Sequence, residues 1–152
     1  MLLKTHLAIS LLAILILLSS VEYQAVFTVM VLISTLIPDI DTEFSGIGKK
    51  KVFRMVQFFA RHRGLLHSFT FLLLVTLFFV LFMPVVALGF FLGYALHLLA
   101  DSFTIEGIKP LYPFGKTING KLRTGGRIET SIFIFFVVAN LFIFGLILMS
   151  LF

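Results

Sequence analysis

The sequence predicts an all-α membrane protein, a polytopic bundle of about five transmembrane helices with one amphipathic helix along the membrane surface. Two features of the composition indicate this class: 60% of the 152 residues are hydrophobic, and only 12% are charged. A third feature is the recurrence of apolar runs that approach the roughly 20 residues a helix needs to cross a bilayer. No polar stretch is long enough for a second domain, so residues 1–152 are predicted to form a single integral membrane domain.

Five apolar segments are the candidate spans: 6–20, 25–38, 65–83, 85–103 and 130–152. The first two are short, the second stops at Pro38, and Pro84 marks a tight connection between the third and the fourth. Two polar segments, 39–64 and 104–129, lie between the spans. The first of them contains KVFRMVQFFARH, whose apolar residues recur at helical spacing and predict the interfacial helix.

The basic residues predict an orientation for the bundle. Threading the five spans in order places all twelve lysine and arginine residues on one side of the membrane. The positive-inside rule assigns that side, with the N-terminus, to the cytoplasm. Anionic lipid headgroups account for the net charge of +5, and no nucleic-acid partner is expected. A second interpretation of residues 1–20, as a cleaved secretory signal peptide, would remove His6.

Every histidine and every aspartate lies at the predicted cytoplasmic end of a span, and these seven residues are His6, Asp39, Asp41, His62, His67, His97 and Asp101. His97 and Asp101 are four residues apart in a helix, so their side chains share one face. A lone histidine at a helix end is usually an interfacial anchor, and PDID alone is compatible with a turn. Ionisable side chains are energetically costly in or near a membrane. Their presence at four helix ends therefore indicates a functional site.

This set of side chains predicts a divalent metal site. Cysteine is absent, so thiolate ligands are excluded, and nitrogen and oxygen donors without sulfur favour Zn, with Mn second. Seven candidates exceed the four ligands of one tetrahedral zinc. We therefore expect one to two ions, with Asp101 as a bridging ligand that takes part in catalysis.

The motifs resemble those of a known family. TH near the start, LIPDID, HRGLLHS, GYALHLLADSFTIEGIKPLYP and TGGRIE occur in the order and spacing found in the YdjM-like family of inner-membrane proteins, which are regarded as metal-dependent hydrolases. The resemblance extends from His6 to Glu129 and implies that the seven residues above, with Arg63 and Glu129, are motif positions. The chain departs from the family at Thr42, where His is frequent, and at Leu66, where Thr is usual.

A more distant resemblance concerns the chemistry. The order His, Asp, His, then HxxxD is similar to the zinc ligands of the phospholipase C and P1-nuclease superfamily, which implies phosphoester hydrolysis. No histidine follows His97, and the N-terminal tryptophan ligand of that superfamily is missing, so fewer than three ions are expected.

We therefore predict a metal-dependent hydrolase, phospholipase C-like, that cleaves a phosphoester at the cytoplasmic face, with an anionic lipid as the leading substrate. Arg63 and Arg127 would bind the non-bridging oxygens, which suit a guanidinium fork. Glu129 is interpreted either as a further ligand or general base, or as an acidic residue that favours the start of the last helix. The alternative is a non-enzymatic metal-binding membrane protein that docks a partner or handles metal. The sequence assigns no oligomeric state.

Overall fold

The computed structural model describes residues 1–41 and 64–150, with only the backbone of Ile40 and Asp41, and within these ranges the chain forms five α-helices. They are α1 (Leu3–Leu17), α2 (Gln24–Leu36), α3 (Phe69–Phe82), α4 (Pro84–Ser102) and α5 (Arg127–Met149). Short 3₁₀ turns lie at Leu18–Ser20, Pro38–Asp41 and Leu65–His67. The prediction of an all-α membrane protein is confirmed.

Three of the described segments are long and apolar enough to cross a membrane: Leu3–Ser20, Pro84–Ser102 and Arg127–Met149. Helices α2 and α3 have 13 and 14 residues, which corresponds to about 20 Å at a rise of about 1.5 Å per residue. A hydrocarbon core is about 30 Å thick. The count of five spans therefore stays a prediction, and the predicted interfacial helix falls on residues outside the described ranges.

Helices α2 and α4 pack with their backbones in close approach. A Cβ atom added at Gly93 would lie 2.2 Å from the carbonyl oxygen of Val31, and one at Gly89 would lie 2.8 Å from Cβ of Met30. The Ser34 hydroxyl donates a hydrogen bond of 3.2 Å to the Gly89 carbonyl oxygen. Small residues at four-residue spacing allow this kind of close packing between membrane helices.

Apolar side chains fill the spaces beside this pair. One buried cluster joins α3 to α4 and includes Leu72, Phe90 and Leu98, while Phe27 and Val31 of α2 pack with α1. The predicted tight connection between α3 and α4 is confirmed: only Met83 separates the two helices, and Pro84 occupies the first position of α4. Proline suits this position because the N–H group that it lacks would have no helical partner there.

Helix α5 lies at the edge of the bundle against α1. Its buried residues are Glu129 and Asn140, and most of its apolar side chains are exposed. The Asn140 side-chain amide donates a hydrogen bond of 2.9 Å to the carbonyl oxygen of Ala8 in α1. The segment between α4 and α5 is held by two isolated β-bridges, Thr104 with Leu122 and Ile108 with Ile118.

Candidate metal centre

Five of the predicted ligands meet at one end of the bundle. His6 comes from the start of α1, Asp39 follows the end of α2, His67 precedes the start of α3, and His97 and Asp101 are in the second half of α4. The three histidines and Asp101 are at most 1% exposed, and Asp39 is 9% exposed. Helices that alternate in direction have therefore brought their ligand-bearing ends together, as the sequence predicts.

Asp101 is in contact distance of three imidazoles. Its Oδ1 atom lies 3.3 Å from Nε2 of His6, and its Oδ2 atom lies 3.6 Å from Nε2 of His67 and 3.8 Å from Nε2 of His97. Two atoms that are each bound to a tetrahedral zinc at about 2.1 Å lie about 3.4 Å apart. Each of these three distances is therefore close to the distance between two ligands of one ion.

The donor atoms form two overlapping groups of three. One group consists of His6, His97 and Asp101, the other of Asp39, His67 and His97, and within each group the ligand atoms lie within 4.8 Å of one another. Nε2 of His97 is 3.9 Å from Oδ1 of Asp39. His97 thus belongs to both groups.

The backbone of α2 determines how His97 is oriented. Nδ1 of His97 lies 2.8 Å from the carbonyl oxygen of Thr35, an oxygen near the helix end, where carbonyl groups lack helical partners. Because a carbonyl can only accept, Nδ1 carries the hydrogen and Nε2 presents its lone pair to the centre. Nε2 of His97 is buried and makes no hydrogen bond within residues 1–41 and 64–150. Metal-binding histidines typically have this arrangement.

His6 lies directly against His97. The two rings are stacked with centroids 3.9 Å apart and planes 6° apart. Two imidazolium ions in this arrangement would repel each other in a buried site. The stack brings the two imidazoles to the same point of the centre, and neutral imidazole is the form that binds metal.

Two carboxyl groups share this buried site. Burial raises the pKa of the Asp39 carboxyl above its ordinary value; the positive charge that His6 can carry opposes this shift, and the Asp101 carboxylate adds to it. Among the described residues, the Met1 ammonium group contacts Oδ1 of Asp101 and places a positive charge beside it. Buried carboxylates are costly unless a cation or hydrogen bonds compensate them, and the clustered imidazole and carboxylate donors are also of the type that binds a divalent cation.

Comparison with known proteins agrees with the fold and the motifs. The family model described as YdjM inner membrane protein matches residues 1–152. The chain belongs to the YdjM inner membrane protein family. No curated protein and no solved structure matches it. The family name and the apolar helices together place this YdjM family member in the membrane.

Glu129 of this YdjM protein lies next to the centre in a different environment. Its Oε1 atom accepts hydrogen bonds from the Leu2 N–H at 2.6 Å and the Thr5 hydroxyl at 3.0 Å. Its Oε2 atom accepts one from the Gly125 N–H at 2.6 Å. Oε1 thus connects the start of α5 to the start of α1, while Oε2 binds the turn that precedes α5. The role of Glu129 as a ligand or general base stays a prediction.

The remaining predicted site residues are less closely associated with the centre or lie outside the described part of the chain. Arg127 is exposed at the start of α5, where it lines a cavity of about 590 Å³ together with Lys121 and Arg123. His62 and Arg63 lie outside the described residues, and for Asp41 only the backbone is described. Their roles stay predictions.

Sequence reasoning did not identify the residues that support the ligands. Thr35 orients His97, and Gly89 and Gly93 bring α2 close enough for that contact. A signal for them is present in the sequence, because Gly89, Gly93, His97 and Asp101 recur every fourth residue and lie on one face of α4. Two glycines at this spacing in an apolar helix are a known packing motif.

Proposed function

We propose that this protein is a metal-dependent hydrolase embedded in the inner membrane, which cleaves a phosphoester of an anionic substrate. The observation that carries this proposal is the buried group of His6, His97 and Asp101 at the meeting point of the helix ends. Two nitrogens and one carboxylate oxygen leave a fourth position around a tetrahedral ion. Catalytic zinc sites have this pattern, whereas structural sites are closed by four protein ligands.

The donor atoms favour one or two ions, with Zn ahead of Mn. Nδ1 of His97 is already bonded to the Thr35 carbonyl, so its single remaining nitrogen can serve only one of the two groups. A second ion would be held by Asp39 and His67 together with the Asp101 carboxylate, whose Oδ2 atom is 3.6 Å from Nε2 of His67. Asp101 is therefore the proposed bridging ligand.

Phosphoester hydrolysis suits both the donor set and the charge of the chain. When bound, a divalent ion supplies Lewis acidity, which acidifies water and polarises a phosphoryl oxygen. The chain's own residues hold the ion in a site that excludes bulk water and attract an anionic substrate through twelve lysine and arginine residues. Arg127, and Arg63 by its motif position, are the proposed partners of the non-bridging oxygens.

The proposed site faces the cytoplasm in a multi-pass protein. In support, the ligand-bearing helix ends lie at the same end of the bundle as Lys4 and the basic segment between α4 and α5. A reporter inserted in that segment is expected on the cytoplasmic side, and one fused after Phe152 on the opposite side. Reporters found on the same side would contradict the five-span arrangement.

Metal content is the first test of the proposal. Protein purified without chelators should contain about one to two zinc or manganese ions per chain by elemental analysis. The variants His97→Ala and Asp101→Asn should lose most of this metal, while Glu106→Gln, an exposed acid five residues beyond Asp101, should retain it. Wild-type protein that takes up neither ion after reconstitution would refute the proposal.

Turnover is the second test. Metal-loaded protein in mixed bilayers is incubated with a phospholipid panel and, separately, with single-stranded oligonucleotides, and the Asp101→Asn variant is the control. Release of phosphate or a phosphorylated headgroup by the wild type alone supports the proposal. Turnover of oligonucleotides alone would replace the lipid with a soluble phosphodiester. Bound metal without turnover in either panel would favour the non-enzymatic metal-binding alternative.

A further inference from the structure

A groove lies between α1 and α5 on the surface that faces lipid. It has a volume of about 540 Å³ and is lined mainly by apolar side chains, among them Leu7, Leu11 and Leu15 of α1 and Phe133, Val137 and Phe144 of α5. Leu7, Leu11 and Leu15 recur every fourth residue and so lie on one face of α1. The groove therefore runs along the two helices.

The length of the groove corresponds to one leaflet of a bilayer. Its lining runs from Lys4 to Leu15 on α1 and from Phe133 to Phe144 on α5, and each range spans eleven residue steps (15 − 4 and 144 − 133). At about 1.5 Å per residue these ranges are roughly 16 Å long. Half of a hydrocarbon core is about 15 Å. An extended acyl chain of one leaflet fits this length.

The charge of the groove is concentrated at one end. Its lining contains two polar side chains, Lys4 and Asn140, and the Asn140 amide is engaged with the carbonyl oxygens of Ala8 and Phe136. The Lys4 ammonium is positioned over the Phe133 ring, with its Nζ atom 4.8 Å from the ring centroid. A cation at the end of an apolar groove is complementary to a lipid with a phosphate headgroup.

The charged end of the groove is also the end next to the metal centre. Lys4 is two residues from His6, and Phe133 is one helical turn from Glu129. The hydrogen bond of 3.0 Å between the Thr5 hydroxyl and Glu129 holds the two helix starts together at this level. A phosphate paired with Lys4 would therefore lie on the same side of the membrane as the five clustered ligands.

We propose that this groove binds one acyl chain of an anionic phospholipid, with Lys4 paired to the headgroup phosphate. The proposal that the groove binds lipid depends only on the groove. The further step, that the bound headgroup is the substrate, rests on the proposed function. A second copy of the chain is a less suitable occupant, because packing against an apolar partner would bury the Lys4 ammonium without a counter-charge.

Native mass spectrometry of the full chain in detergent tests the proposal. The probes are dioleoylphosphatidylglycerol, dioleoylphosphatidylcholine and glycerol 3-phosphate, all added with chelator so that bound metal plays no part. We expect one tightly bound phosphatidylglycerol and no retained glycerol 3-phosphate. Lys4→Gln should weaken phosphatidylglycerol binding about fivefold, the effect of one basic residue at a membrane surface. Lys116→Gln, at an exposed lysine away from the groove, should leave it unchanged.

A groove-filling variant provides the second measurement. Leu11→Trp places a large side chain midway along the groove and should weaken both phospholipids at least tenfold. Leu77→Trp makes the same substitution at an exposed leucine of α3 and should have no effect. Each variant is first checked for a wild-type thermal midpoint, and Lys4→Gln provides an independent result if Leu11→Trp fails to fold.

Three results would overturn the lipid assignment. The first is that neither groove variant changes phospholipid binding. The second is that glycerol 3-phosphate is retained as strongly as the lipid. The third is that a Leu11→Cys variant forms a disulfide-linked dimer in membranes. The proposed function is separable from this inference. Groove-dependent lipid binding without any turnover would refute the hydrolase and leave the lipid site standing. Turnover by the wild type, together with phospholipid binding that neither groove variant changes, would refute the lipid site and leave the hydrolase standing.

Discussion

Helices α4 and α5 are the two longest helices of the described chain, yet they differ strongly in how much of their length is buried. In α4, 56% of the apolar segment is buried inside the molecule, whereas in α5 only 6% is buried. The buried face of α4 carries Gly89, Gly93, His97 and Asp101, so one stripe both packs the bundle and forms the candidate metal centre. Helix α5 contacts the rest of the chain mainly through α1.

This contrast separates two kinds of polar residue in a membrane protein. His97 and Asp101 of α4 face other ionisable groups and have donor geometry for an ion. Those buried in α5, Glu129 and Asn140, are hydrogen-bonded to backbone groups of the N-terminal segment. Substitutions in the α4 stripe should therefore damage the centre, while substitutions in α5 should weaken helix docking and leave the ligands in place.

The largest effect on folding is expected from Gly93→Ala in α4. The added Cβ would lie 2.2 Å from the Val31 carbonyl oxygen and 2.3 Å from Oγ of Ser34, so α2 must shift away and the Thr35 contact to His97 is lost. We expect a loss of about 3 kcal/mol in unfolding free energy and a lower metal content. Gly145→Ala in α5 is the matched control, because its Cβ would have nothing within 4 Å. Equal thermal midpoints for the two variants would contradict the comparison.

A smaller effect is expected from Glu129→Ala at the start of α5. The change leaves three donors without their acceptor, the N–H groups of Leu2 and Gly125 and the Thr5 hydroxyl, and should cost about 2 kcal/mol in detergent unfolding. Glu106→Ala at an exposed acid is the control. Turnover per bound metal distinguishes the roles of Glu129: it should be unchanged in Glu129→Gln if the residue only connects helices, and a large loss would indicate a general base.

Asn140→Leu should have a still smaller effect. It removes the hydrogen bond of 2.9 Å from the side-chain amide to the Ala8 carbonyl oxygen, and a polar contact between membrane helices is worth about 1 kcal/mol. The thermal midpoint in detergent should fall slightly while metal content stays at the wild-type value. The control is Phe142→Leu, at an exposed position of α5. Loss of metal from Asn140→Leu would show that α5 supports the centre as well.

The smallest effect is expected from Ser10→Ala in α1. Ser10 and Thr35 share a hydrogen bond of 2.7 Å between their hydroxyls, and its loss should cost about 0.6 kcal/mol. Because Ser10 is one turn from His6 and Thr35 orients His97, metal affinity should also fall slightly, by about twofold. Ser131→Ala, at an exposed serine of α5, is the control. A stability loss without any change in affinity would assign Ser10 to packing alone.

The sequence by itself determined the class of the protein, the approximate position of the five described helices and the end at which the described ligands gather. Apolar runs locate the helices because burying them in lipid dominates the energetics of the chain. Successive membrane-spanning helices reverse direction, so His6, Asp39, His67 and His97 were expected to lie at one end. His97 and Asp101 share a face because the helical period dictates it.

Only the tertiary structure decided which of these residues come within reach of one another. The two oxygens of Asp101 contact three imidazoles from three elements, while Glu129, equally suited by residue type, is bonded to the N-terminal backbone instead. Distances of 3 to 4 Å between different helices depend on how closely their backbones approach, and the contact at Gly93 determines that approach for α2 and α4. Periodicity along one chain segment carries no information about the separation between two segments.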